Sequence, residues 1–301
     1  MSTTTLNNDN VGFFSQAWDA VAPKNPVHGR REFHIIPESV EHTIGALVYR
    51  SEIHGGKHGL CYEVCKEFKD ADGRLMSYER LVRETGEKIA KTSDRPDLPY
   101  VFKTLDIRKE NAWCMPGGKI AFYEGLFKAF QNETRDFGVG TFTLEEKVAA
   151  VLAHEVVHAA ARHSTTAFEF GLIVSAIVTA LYEAIAVVFT DEDGKLSTNL
   201  PWPIEFVLDK LHYLALTLIT SPGDRAAEFE SDKYGMVYLQ RAGYRPEAAI
   251  WLQEYFASQE ISTENKVLDW ALSFFETHPD SKERADANRE TLKLIQNGTL
   301  R

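Results

Sequence analysis

At 301 residues the chain is long enough to bury a full core in one or two domains. A hydrophobic share of 44% and a charged share of 26% are those of an ordinary globular protein. A net charge of −11 without a basic stripe argues against nucleic acid as a partner. Three cysteines are too few for a disulfide framework and fit a reducing compartment. The opening M-S-T-T-T-L-N-N-D-N has neither a basic n-region nor an apolar h-region. As it stands the sequence reads as cytoplasmic, with peripheral membrane association or a removed export signal left open.

Residues 1 to about 30 are polar, carry Pro23 and Pro26, and read as an N-terminal arm ahead of a main domain at 31–301. Val40 to Ile53 reads as a helix. His54 to Cys65, H-G-G-K-H-G-L-C-Y-E-V-C, reads as a glycine-rich turn before a helix; its His and Cys order matches no zinc module. Tyr78 to Thr92 is an amphipathic helix and Arg95 to Tyr100 a turn. Val101 to Ile107 and Ala112 to Met115 read as strands around a polar turn. Pro116 to Gly118 ends the second, and Lys119 to Tyr123 forms a third. Glu124 to Gln131 is predicted helical.

Thr143 and Glu146 form a T-x-x-E capping box, after which Leu144, Val148, Val151, Leu152 and Val156 fall at helical spacing to about His163. Within this helix lies A-H-E-V-V-H-A-A-A-R-H. His154 and His158, four apart, share one helix face and can hold one ion. Glu155 stands beside them. Two imidazoles, an open coordination position and an adjacent carboxylate are the parts of a hydrolytic zinc site.

Phe168 to Phe189 is the most apolar stretch, with a run from Phe170 to Tyr182 bracketed by Glu169 and Glu183. That run is short of the ~20 residues a membrane span requires. It reads as a buried or partly exposed helix, the sharper alternative being a surface helix that meets a membrane or a partner. With Pro203 to Thr220 beyond the polar loop Asp191 to Asn199, it makes a helical hairpin inserted at about 168–220. Helices are further expected at Asp224 to Arg241, Pro246 to Ser258 and Lys266 to Glu276, and Thr277 to Arg284 opens the last. A third metal ligand is needed. On a continuous helix His163 is turned well away from the pair, whereas Glu228-Phe-Glu-Ser-Asp232 offers a carboxylate on another helix.

Four motifs, which follow one another along the chain as they do in the family, resemble peptidase family M48, a family of zinc metallopeptidases. They are H-E-V-V-H with A-R-H-S behind it, E-F-E-S-D for the family's E-x-x-x-D, N-A-W-C-M-P-G-G-K-I from Asn111, and T-H-P-D-S-K-E-R for the family's H-P-x(4)-R. N-P-V-H-G-R-R from Asn25 is similar to the lead-in of its soluble bacterial members. The resemblance implies His154, His158 and Glu228 as ligands of one zinc per chain and Glu155 as general base. It implies Asp232 as the carboxylate that orients a ligating imidazole, and His278 as a late histidine that approaches the metal or donates to the oxyanion. Glu230, two positions from Glu228, is expected to be solvated, and Arg284 to be structural near the site. The implied fold is α+β, mostly helical, a zincin-like (gluzincin) domain with a small β-sheet beside the active-site helix. A protein or peptide substrate would lie along an edge strand at Asn111 to Met115, cut by zinc-dependent endopeptidase chemistry. The alternative is a non-catalytic zinc-binding regulator that uses the 168–220 hairpin. Ser231 stands where the family usually has Ala, a small-for-small change. Two features depart from the family pattern: the longer apolar but charge-interrupted stretch from Ser164 to Gly223, and no tetratricopeptide-like tail, so the outer-membrane chaperone-protease subtype is not expected.

Overall fold

A computed structural model describes residues 22–55, 67–69, 73, 75–189, 225–263 and 281–301. Among these lie eight helices: α1 (Glu38–Gly55), α2 (Tyr78–Ala90), α3 (Glu124–Asn132), α4 (Leu144–Ala160), α5 (His163–Phe189), α6 (Arg225–Arg241), α7 (Glu247–Thr263) and α8 (Ser281–Gln296). The strands are β1 (Glu67–Lys69), β2 (Leu75–Ser77), β3 (Val101–Leu105), β4 (Ala112–Met115) and β5 (Lys119–Tyr123). The fold is thus α+β and mostly helical with small sheets, as expected. The second helix of the expected hairpin, the helix at Lys266 to Glu276, His278 and most of the His54–Cys65 segment lie outside the described residues.

The chain divides into two units, residues 1–165 with 222–301, and residues 166–221. The first holds the core and the candidate site. Its centre is α4, whose start is set by both halves of the expected capping box: Thr143 Oγ1 accepts from Glu146 N–H, and Glu146 accepts from Thr143 N–H at 2.9 Å. Every residue from Lys147 to Ala160 is buried. The apolar face meets Leu126, Phe127, Met236, Leu239, Ile250 and Trp251 in one core. The buried lysine of α4, Lys147, is satisfied by the carbonyls of Phe130 and Glu133 at 2.9 and 2.7 Å.

β3 and β4, the two strands read around a polar turn, do not pair with each other. β5 lies between them, parallel to β3 and antiparallel to β4. Ile120, Ala121 and Phe122 of β5 have no exposed surface, so the central strand of the three is also the most buried. β4 is left at an edge. In the second unit, α5 carries Phe170, Leu172, Ile173 and Ile177, each 41–54% exposed, so this stretch is a partly exposed helix. Over the described residues no helix is long and apolar enough to cross a membrane.

Candidate metal centre

α4 ends sooner than the periodicity suggested. Ala160 is its last residue, and Arg162 adopts φ 62°, a left-handed conformation that costs a side-chain-bearing residue about 1–2 kcal/mol. The tertiary structure compensates. Arg162 is buried, donates to the Ile36 carbonyl at 2.7 Å and pairs with Glu41 at 3.2 Å. This break starts α5 at His163 and swings that side chain back toward α4. His163 Nδ1 lies 3.1 Å from His158 Nδ1, so the expectation that His163 faces away is corrected.

α6 delivers the third donor. Its Gly235, two turns after Glu228, packs against the backbone of α4: a Cβ there would meet His154 N at 3.4 Å. Glu228 thereby reaches both imidazoles. His154 Nε2 and His158 Nε2 are 3.0 Å apart; Glu228 Oε2 is 3.3 Å from the first and Glu228 Oε1 is 3.2 Å from the second. Ligand atoms of a tetrahedral zinc ion with bonds of about 2.0–2.1 Å stand roughly 3.3 Å apart. Among the described residues His154, His158 and Glu228 are the cluster spaced to hold a metal, and all three are buried.

The surrounding groups tune these donors. Asp232, one turn beyond Glu228, accepts from His154 Nδ1–H at 2.9 Å, which leaves Nε2 with its lone pair toward the cluster. Arg284 has no exposed surface. It grips Asp232 at 2.7 and 2.8 Å and reaches Glu228 at 2.9 Å, packed and ion-paired near the site as expected. Gln253 adds a donor to Asp232 at 3.2 Å.

Burial presses the His154 pKa down, but Glu228 and Asp232 together carry it up to about 9. Burial pushes His158 down to about 3, and burial of Asp232 is outweighed by Arg284 and His154, which hold it at about 2. Three buried carboxylates, Glu155, Glu228 and Asp232, stand against one guanidinium, Arg284. Two imidazole nitrogens and a carboxylate oxygen in a pocket short of positive charge are a donor set for a divalent cation of the zinc type, and the residues fit it.

Glu155 is buried and close enough to β4 and α8 that its charge acts on both the Cys114 thiol and Arg284. Glu230 is not solvated as expected: its carboxylate is 3.5 Å from His163 Nε2 and 3.7 Å from both His28 and Arg30. Sequence reasoning also missed Glu41, which is 1% exposed. It joins Arg95, Arg162, Thr165 Oγ1 and the N–H of Gly117, whose φ of 73° is the turn after β4. Glu41 follows the helix start at Glu38 as an ordinary acidic first-turn residue, so no sequence signal sets it apart.

A helical domain built on a buried histidine–histidine–carboxylate cluster, with a carboxylate beside it on the same helix, defines a metallopeptidase of the zincin type. Residues 77–292 match the model of peptidase family M48, and the chain belongs to that family. It is 28% identical over 274 residues to the mitochondrial metalloendopeptidase OMA1 of Schizosaccharomyces pombe, covering 90% of this chain and 66% of that protein. The protein of the same name from Arabidopsis thaliana is 27% identical over 58% of this chain and 28% of its own length. That from Saccharomyces cerevisiae is 26% identical over 87% and 67%. The chain therefore spans from under a third to about two thirds of these relatives.

Proposed function

We propose that this chain is a zinc-dependent endopeptidase that cuts protein substrates, with His154, His158 and Glu228 as the ligands of one zinc and Glu155 as general base. The observation that carries the reading is the buried cluster itself: His154 Nε2 and His158 Nε2 stand 3.0 Å apart, and each has a Glu228 carboxylate oxygen within 3.3 Å. A bound zinc supplies Lewis acidity and lowers the pKa of a coordinated water to about 7. Glu155, from the residue next to His154, takes the proton and returns it to the leaving amine. Asp232 keeps His154 in the tautomer that presents Nε2, and Arg284 balances the charge of Glu228 and Asp232. His278, outside the described residues, keeps the role its motif implies, as a donor to the oxyanion.

The substrate would add to β4 as an extended strand. Tyr123 N–H bonds the Asn111 carbonyl at 2.9 Å, so in the antiparallel register Trp113 and Met115 face β5 while Ala112 and Cys114 turn their backbone groups outward. Asn111 Oδ1 holds Ala112 N–H at 2.9 Å, and Ser164 Oγ donates to the Cys114 carbonyl at 2.7 Å. An incoming peptide shares or displaces these two contacts. The exposed apolar face of α5 supports a contact with a membrane or a partner protein.

The test is Glu155→Gln beside wild type. One zinc in both proteins, with kcat for a protein substrate lowered about 10²–10⁴-fold in the variant, is the expected result. Equal turnover by both would sink the assigned mechanism. Zinc in both with turnover in neither would favour the non-catalytic regulator.

A further inference from the structure

The two ligating imidazoles are backed differently. His154 has a carboxylate behind it, Asp232, whereas His158 has another imidazole. His158 Nδ1 and His163 Nδ1 stand 3.1 Å apart, a distance at which one nitrogen must carry the proton and the other accept it. For His158 to offer its Nε2 lone pair to a metal, its proton is on Nδ1, so His158 donates and His163 accepts. The proton of His163 is then on Nε2, which faces Glu230 at 3.5 Å. Ser231 Oγ, 3.3 Å from His163 Nδ1, is placed to donate to the same atom.

The far side of the chain of contacts gives the same tautomers. Glu230 is held by His28 Nε2 and Arg30, both at 3.7 Å. His28 Nδ1 accepts from Arg30 N–H at 3.1 Å, so the His28 proton is on Nε2, facing Glu32 at 3.0 Å and Glu230. The segment bearing His28 is tied to the end of the metal helix by Asn25, which donates to the Ala161 carbonyl at 2.8 Å and to Glu32 at 2.7 Å. The line of contacts runs from His158 to the stretch before α1, with hydrogen bonds at His158–His163 and at His28 and ionic contacts of 3.5–3.7 Å around Glu230.

We propose that His163 is the positioning residue of His158, fixing its tautomer and ring angle, and that Glu230 and His28 hold His163 for that task. The proposal rests on the zinc-site reading above. It brings residues 25–32 into the metal centre although none of them is a ligand.

The experiment measures zinc affinity by chelator competition, together with the visible absorption of the cobalt(II)-substituted protein, for wild type, His163→Ala, His163→Asn and His28→Gln. Loss of the partner behind a ligating histidine costs about 10–100-fold in metal affinity. His163→Ala is expected to show that loss and a shifted cobalt band. Asn places an acceptor oxygen near the Nδ1 position, so His163→Asn is expected within about threefold of wild type. His28→Gln falls between wild type and His163→Ala. Circular dichroism of the metal-free proteins is recorded first. If His163→Ala loses the fold, His163→Gln replaces it, since Gln fills similar volume but offers nothing at Nδ1. One zinc in wild type, with unchanged affinity and cobalt spectrum in the removal variant, overturns this proposal alone. Equal losses in His163→Asn and the removal variant overturn it too, because volume rather than the acceptor would then matter. No zinc in wild type overturns the functional reading and this proposal with it.

Discussion

Arg284 shows how much one side chain carries at the residue scale. It is fully buried between Asp232 and Glu228 and is their shared cation. Its own pKa is lowered by burial but raised further by the two carboxylates, so it stays charged at any working pH. Removing one member of a buried ionic cluster costs about 3–5 kcal/mol, because the remaining charges lose their partner away from water. Arg284→Ala should therefore lower the stability of the metal-free protein by about that amount in urea denaturation. A midpoint equal to wild type would refute the role. The H-P-x(4)-R motif marked Arg284 as near the site, but spacing alone does not say that it touches a ligand.

At the scale of elements, the site depends on where α4 stops and how closely α6 approaches. Arg162 meets the first condition through a strained φ and its bonds to Ile36 and Glu41. Arg162→Ala keeps the backbone strain and loses the bonds, while Arg162→Gly loses the bonds and relieves the strain. The alanine variant should melt lower than the glycine variant by an equivalent of about 1 kcal/mol, and both below wild type. The reverse order would remove the argument from strain. Gly235 meets the second condition. A methyl group there falls at contact distance from His154 N, so Gly235→Ala should keep zinc. Gly235→Val has no room for its Cγ atoms and should push α6 from α4 and lose the metal. Zinc retained at wild-type affinity in the valine variant would show that α6 can yield. Neither position was legible as special. A positive φ at an arginine leaves no pattern, and Gly235 in a helix reads only as a weak helix former.

For the whole molecule, Glu41 joins α1, the turn after β4, the end of α4 and the start of α5. Burial pushes its carboxyl up, but Arg95 and Arg162 outweigh that and hold its pKa below the ordinary 4.5. A carboxylate whose pKa is depressed by folding stabilises the native state fully above its unfolded value, and the contribution is lost as pH falls through the folded one. Thermal stability should therefore fall on acidification below about pH 4.5, and Glu41→Gln should show a shallower fall over that window while being less stable at neutral pH. Parallel pH profiles for the two proteins would show that another group sets acid stability.

Local chemistry made part of this protein readable from its residues. The capping box, the helical spacing of α4 and the four-residue interval of His154 and His158 are short-range relations that the α-helix geometry converts directly into a shared face. The motif resemblance added Glu228, Asp232 and Arg284 across long intervals, and the structure brings all three to the cluster. The order of the strands, the turn at Arg162, the return of His163 and the burial of Glu230 and Glu41 were decided by tertiary structure. Each rests on partners far away in the chain: Ile36 and Glu41 for Arg162, β5 between β3 and β4, His28 and Arg30 for Glu230. A backbone conformation held against its intrinsic preference, or a charge buried against one that arrives from another element, is settled by contacts that a linear pattern does not contain.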